Sequence, residues 1–437
     1  MIVWPKPGNK GMAAMAVTRL SILTCGMFTG AALLTATPVM AKKPNVGPAI
    51  EMSDSFRAAT QAADSAIKAG DVSTAQAQIS GLMPVSDFEA YVAAGLRFEL
   101  AVLKVDRQAQ RVALNDMFKT SSVPKGDMPR LRYVAGYLSY IVGNYDDATA
   151  QLDYAKTLGY DPIDATMLRA DIAIRRNRKK DARSFVQQAL ARQRAAGQPI
   201  PAAWYDRAIS MAYEAGDWSE LGALYRERLT HYDSAGEWRS ALANYLTAPG
   251  MDSQVQLDLY RLQAANGAMA SERDYQAYAQ LAEKTGYSAE TKAIIEAGRS
   301  AGKLTPTQAV TAQLLKGATP KAAKEIAGLP AAAKKAAAAK DGSAAMAVGD
   351  TYFSLAQFPQ AVEQYRLALS KGGVDAAKAN ARLGVALARS GDLAGAKAAL
   401  GQATTGNWAN VAGFWSVWVD QQSRKTAAKP VVVPSAG

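Results

Sequence analysis

From Ile50 to about Gln421, apolar residues recur at spacings of three and four, the period of an α-helix with one buried face, and short breaks interrupt the pattern every 12 to 20 residues or so. Helices of that length joined by short turns pack as antiparallel pairs. In "RYVAGYLSYIVGNYDDATAQLDYAKTLGYDP", Ala135, Gly136 and Ser139 form a small-residue seam that matches Ala148, Leu152 and Ala155 on the following helix. Gly143 can take the left-handed conformation that ends a helix, Asn144 can cap the next one, and Asp161-Pro162 stops the pair. The same break is written again as "KAGDVSTAQAQI" from Lys68, "EAGDWSELGALY" from Glu214 and "RSGDLAGAKAAL" from Arg389. Each pair buries one face against its partner and leaves another open, so only a neighbouring pair can cover it. Strand-like alternation is scarce.

The repeated unit resembles the tetratricopeptide repeat, a 34-residue helix-turn-helix with small and large residues at fixed offsets. The clearest copy is "MAVGDTYFSLAQFPQAVEQYRLAL", with Val348, Gly349 and Tyr352 on the first helix and Ala361, Tyr365 and Ala368 on the second. The next copy sets Leu383, Gly384 and Leu387 against Ala396, Leu400 and Ala403, and Gly384 follows Gly349 by 35 residues. Earlier, Ala182 follows Ala148 by 34. Other copies are degenerate: an opening pair near residues 58–82 with Ala63, Ala75 and Ile79 in its seam, and a pair with Ile209 and Leu221 where small residues are expected. The resemblance implies an all-α, right-handed α-α superhelix, or solenoid.

The expected organisation is a leader over residues 1–41, repeats over 50–328 that become degenerate after about 237, an Ala/Lys-rich stretch over 329–345, repeats with a capping helix over 346–421, and a disordered tail over 422–437. The stretch "LPAAAKKAAAAKDGSAA" suits either a semi-rigid helical spacer or a solvated helix of the array. On the last helix, Val411, Trp415, Trp418 and Val419 share a face that either covers the final repeat or offers a patch to a partner.

Residues 1–41 carry Lys6, Lys10 and Arg19, no acid, and an apolar run from Leu20, ending in Val39 and Ala41 before Lys42. This is the form of a cleavable secretion signal, which places the chain outside the inner membrane, in the periplasm, without stable membrane insertion after cleavage. Cys25, the one cysteine, lies inside that run, so the mature chain would have neither disulfides nor a Cys-ligated metal. Of the net charge of +12, three units belong to the leader. The remaining cations are interleaved with acids and, with the secretion signal, give no reason to expect a nucleic-acid partner.

Sites for chemistry are weak. "GRSAG" at 298–302 has the G-x-S-x-G form, but a helical pattern precedes it and the one histidine, His231, follows a predicted helix elsewhere in the chain. No phosphate-binding loop, metal motif or cofactor fingerprint occurs. Acid pairs such as Asp146-Asp147 fall at helix starts, where they suit the helix dipole.

In the tetratricopeptide family, first helices line a concave face that binds extended peptides or partner helices. Carried over by offset, the resemblance puts Tyr133, Tyr137 and Tyr140 on that groove, followed by Asp171 and Arg175, Tyr213, and then Asp350, Phe353 and Arg389. Asp171 replaces an amide of the family's carboxylate clamp, so an acidic C-terminal tail is not the expected ligand. The implied function is a non-catalytic scaffold in the cell envelope for a protein or peptide partner, with no cofactor. Two alternatives stand beside it: an envelope polysaccharide enzyme resembling lytic transglycosylases, its catalytic glutamate within about 237–345, and an export accessory protein.

Overall fold

A computed structural model of the chain describes residues 52–427; the leader with Cys25 and the tail from 428 lie outside them. Among the described residues there are twenty α-helices and no strand. By its contacts the chain divides into two compact units, with the boundary between Ala208 and Ile209. The fold is an all-α stack of helix-turn-helix repeats.

Unit 1 pairs α1 (Asp54–Ala69) with α2 (Val72–Ser80), α3 (Asp87–Leu103) with α4 (Arg107–Phe118), α5 (Met128–Ile141) with α6 (Tyr145–Thr157), and α7 (Ile163–Arg175) with α8 (Lys179–Ala195). It ends within α9 (Ala202–Glu214). The α5–α6 turn shows why the sequence break works. Gly143 has φ +82°, and the Asn144 side chain accepts from the Asp147 amide at 3.2 Å. A Cβ added at Gly136 would stand 3.0 Å from Leu152 Cγ and 3.2 Å from the Ala148 carbonyl oxygen, so the missing side chain sets how closely the helices approach. Asp71, Asp217 and Asp392 cap in the same way after Gly70, Gly216 and Gly391, each of which has positive φ. Asp106 also caps its helix, but the left-handed residue before it is Val105, with φ +56°; Asn177 and Ala356 hold equivalent turns. A glycine search misses these three breaks.

Unit 2 continues with α10 (Trp218–His231), α11 (Ala235–Tyr245), α12 (Ser253–Ala265), α13 (Glu272–Lys284) and α14 (Ser288–Ser300). After these come α15 (Ala309–Ala338), α16 (Ser343–Ser354), α17 (Phe358–Lys371), α18 (Ala376–Ser390), α19 (Leu393–Leu400) and α20 (Gly406–Ala427). The Ala/Lys stretch forms the last third of α15, the turn after it and the start of α16. Leu329 and Ala336 are buried while Lys334 and Lys335 are exposed, and Lys371 Nζ donates to the Ala337 carbonyl at 2.9 Å, closing the helix end. Helix α20 runs through Ala427, so the first six residues of the expected tail are helical.

Helix α20 does more than cover the last repeat. It packs on α18 and α19 and also on α10 and α12, far earlier in the chain. Phe414 and Trp415 are fully enclosed and Trp418 is buried. Trp238 Nε1 donates to Gln421 Oε1 at 3.1 Å, and Gln421 Nε2 donates to the Leu229 carbonyl at 2.7 Å. Unit 2 thus closes on itself, and the tryptophan face is interior rather than a patch.

Candidate functional site

The groove residues read from repeat offsets divide by unit. In unit 1, helix spacing sets Tyr133, Tyr137 and Tyr140 three and four residues apart on α5, all half-buried, with Tyr145 against the cluster formed by Ala148, Leu152, Ala165, Leu168 and Ile172. The rings form pairs: Tyr133 with Tyr160 at 5.6 Å between centroids, and Tyr140 with Tyr145 at 6.0 Å. Asp171 and Arg175, one helical turn apart on α7, lie at the Tyr140 end. The Arg207 guanidinium holds Asp171 in a two-point contact, Nε to Oδ1 at 2.9 Å and Nη2 to Oδ2 at 3.1 Å. Arg175 lies within electrostatic reach of the Tyr140 hydroxyl and of Asp171.

The electrostatics follow from burial. Burial pushes the Asp171 carboxyl above its usual range, and Arg207 and Arg175 only partly offset this. Burial also raises the Tyr140 hydroxyl, helped by Asp171 and opposed by Arg175, and it raises Tyr133 further, with Asp164 adding to the effect. The half-buried α5 tyrosines, the exposed Arg175 and the half-buried Arg207 therefore make one aromatic and polar surface, whereas Asp171, expected on the open groove, is only 6% exposed and is taken up by Arg207. Sequence reasoning missed Tyr160 and Asp164, which lie in a connection and at a helix start, and Arg207, which sits in the middle of α9, the first helix of a degenerate repeat.

The unit 2 positions have a different setting. The offset reading put Asp350 and Phe353 on an open groove, but each is only 6% exposed and both belong to a buried ionic network. Arg382 on α18 pairs with Asp350 at 2.5 Å and with Asp258 on α12 at 3.1 Å, and it donates to Gln254 at 2.6 Å. Arg261 bridges Asp258 and Glu290, with its guanidinium carbon 4.7 Å from the Phe353 ring centre. The hydroxyls of Tyr365 and Tyr287 donate to Asp350, and that of Tyr278 to Glu290. Burial alone would raise the Asp350 carboxyl, yet Arg382 and Lys378 hold it below the usual range. The face that the offset rule assigns to a partner is filled here by the unit's own helices. Arg389 stands apart from this network, exposed and stacked 5.0 Å from the Phe358 ring centre, and Tyr213, 37% exposed, meets Trp218 edge-on.

The catalytic candidates have structural settings. Gly298 and Ser300 of "GRSAG" are helical residues of α14, with no strand before them, and a Cβ at Gly298 would come within 2.9 Å of Tyr275. His231 is the exposed last residue of α10. Asp146 and Asp147 occupy the first turn of α6 and pair with Arg176 and Arg111. Residues 237–345 fold as helices α11 to α15 and the start of α16, and their buried carboxylates Asp258 and Glu290 are held by arginine. Among the described residues no group of three or more His, Cys, Asp or Glu side chains could hold a metal, and no helix is long and apolar enough to cross a membrane.

No protein-family model matches the chain, and no curated protein does. Solved structures similar to it include the structure of Naa15/Naa10 bound to HypK-THB, at 16% identity and a TM-score of 0.33, covering 80% of this chain and 58% of that one. The pentatricopeptide repeat protein PPR10 from maize matches at 14% identity and a TM-score of 0.32, over 86% of this chain and 59% of that one. The TPR2AB-domain:pHSP90 complex of yeast Sti1 matches at 15% and 0.21, over 69% of this chain and 99% of that one. The chain thus spans less than two thirds of the first of these, and scores this low carry no argument about function.

Proposed function

We propose that the protein is a non-catalytic scaffold of the cell envelope that captures a segment of a partner protein on the α5–α7 face of unit 1. The observation that carries this reading is the row of half-buried Tyr133, Tyr137 and Tyr140 on α5, with the exposed Arg175 and the buried Asp171–Arg207 ion pair at its Tyr140 end. Tyrosines supply large contact area with few side-chain torsions to freeze, and a fixed ion pair beside them supplies orientation. The equivalent face of unit 2 is occupied internally, which leaves unit 1 as the place for capture. Export rests on the basic, then apolar, character of residues 1–41.

Tyr137→Ala with Tyr140→Ala tests the groove by affinity capture from envelope extract, with helical content followed by circular dichroism. The reading expects loss of the captured partner at unchanged helicity; equal capture by the variant would overturn it. N-terminal sequencing of the envelope-fraction chain should begin at Lys42; an intact leader would overturn the cleavage assignment, and recovery of the chain in the cytoplasmic fraction alone would overturn export.

A further inference from the structure

The α5–α8 segment carries seven acidic residues: Asp146, Asp147, Asp153, Asp161, Asp164, Asp171 and Asp181. Six have an arginine: Arg176 for Asp146, Arg111 for Asp147, Arg169 for Asp153, Arg192 for Asp161, Arg207 for Asp171 and Arg178 for Asp181. Asp164 has none. Among the described residues no ion pair or hydrogen bond reaches its carboxylate, although it is half-buried. Its field is felt by Tyr133, whose ring meets that of Tyr160 at 5.6 Å. As a first-turn acid of α7 it suits the helix dipole, but that role is served equally well from an exposed position. Burial has left its carboxyl above the usual range with no cation to bring it down.

The two ends of the surface therefore differ. At the Tyr140 end, Arg175 and Arg207 already neutralise Asp171. At the Tyr133 end, Asp164, whose counter-charge is missing, directly precedes Ala165, one of the cluster residues on which Tyr133 packs, and Tyr133 in turn meets the Tyr160 ring. We propose that Asp164, together with Tyr133 and its ring partner Tyr160, seats an arginine or lysine side chain of the captured segment. A cation there gains the ion pair and the attraction of the aromatic rings together, in a half-desolvated place where both are stronger than in water. The proposal rests on the α5–α7 face being the capture surface and adds the chemistry of one contact. The partner is thus an extended segment with a basic residue, the opposite of an acidic tail.

The test is a randomised decapeptide display library panned in parallel on the wild-type full chain, on Asp164→Asn and on the Tyr137→Ala/Tyr140→Ala variant. Wild-type protein should enrich peptides with arginine or lysine at one fixed position, and Asp164→Asn should lose that enrichment. A selected peptide, resynthesised, should bind Asp164→Asn about tenfold more weakly than wild type. Its Arg→Gln version should be as weak on both proteins, the coupling expected of a direct contact. Basic enrichment that survives Asp164→Asn, or peptides without any basic preference, would overturn the cation seat and leave the capture surface standing. Peptides selected equally well by the double tyrosine variant, or no selection on wild type, would overturn the capture surface and the cation seat with it.

Discussion

Replacing Arg382 with Met should unfold unit 2 at a much lower temperature. Arg382 is 1% exposed and is the cation between Asp350 on α16 and Asp258 on α12, two residues brought together across more than ninety positions of sequence. Met keeps most of the aliphatic volume, so the loss is electrostatic: beside the Tyr365 and Tyr287 hydroxyls Asp350 retains one cation, Lys378, 3.9 Å away and partly exposed, and Asp258 must share Arg261 with Glu290. Removing one partner of a buried ionic network costs about 3–5 kcal/mol. For a unit of this size that is a fall in Tm of roughly 6–20 °C. Tryptophan fluorescence is weighted toward the event, because Trp218, Trp238, Trp408, Trp415 and Trp418 lie in unit 2, and a Trp204→Phe background removes the described tryptophan of unit 1. The pH dependence carries a sign. Asp350 is depressed in the folded state, so its pairing stabilises above the unfolded carboxylate pKa of about 3.9 and is lost as pH falls through the folded value. The gap in Tm between wild type and variant should therefore be widest near neutrality and narrow below about pH 4. A fall of less than about 2 °C at pH 7 would show that the network does not hold unit 2 closed.

Gly384→Val would set a Cβ 2.6 Å from Leu400 Cγ and 3.0 Å from the Leu400 backbone nitrogen, where only a helix shift gives room; urea unfolding should show a loss of about 1–3 kcal/mol, and an unchanged midpoint would refute the close approach. Val105→Gly relieves a β-branched residue at φ +56° and should stabilise unit 1 by up to about 1 kcal/mol after the added chain entropy, read from the same unfolding curves. Asp164→Asn should stabilise unit 1 at neutral pH. The folded state binds the Asp164 proton more tightly than the unfolded chain, so wild-type stability falls as pH rises from about 3.9 through the folded value, and the variant lacks that fall. Equal stability of the two proteins from pH 3 to 8 would contradict the unpaired carboxylate.

Local features of the fold were legible because they are written locally. A glycine followed by Asp or Asn marked four turns, and alanine seams marked the faces that meet, as Ala63, Ala75, Ala148 and Ala182, all fully buried, illustrate. Turns at Val105, Asn177 and Ala356 were hidden, since their left-handed residue is not glycine. The closure of unit 2 left no periodic trace: its contacts join Leu229 to Gln421 and Asp258 to Arg382, and nothing in either local pattern names the other. Its one sequence hint is charge within apolar stripes, as in "LDLYRL" and "ANARLGVAL", where a buried ion needs a distant counter-ion. For the same reason the repeat-offset rule, sound for helix faces, could not tell that Asp350 and Phe353 would be covered. In unit 1 it grouped residues of α5 and α7, the first helices of successive repeats, and likewise could not tell that Asp171 would be buried against Arg207.

The most direct test of the capture surface places a photo-crosslinking amino acid at Tyr137 on α5 or, as the control, at Tyr154, which is 47% exposed on the second helix of the same repeat. Irradiation in intact cells should join a partner to the Tyr137 position and leave the Tyr154 position unlinked. Equal crosslinking at both, or crosslinking at Tyr154 alone, would contradict capture on the first-helix face of unit 1.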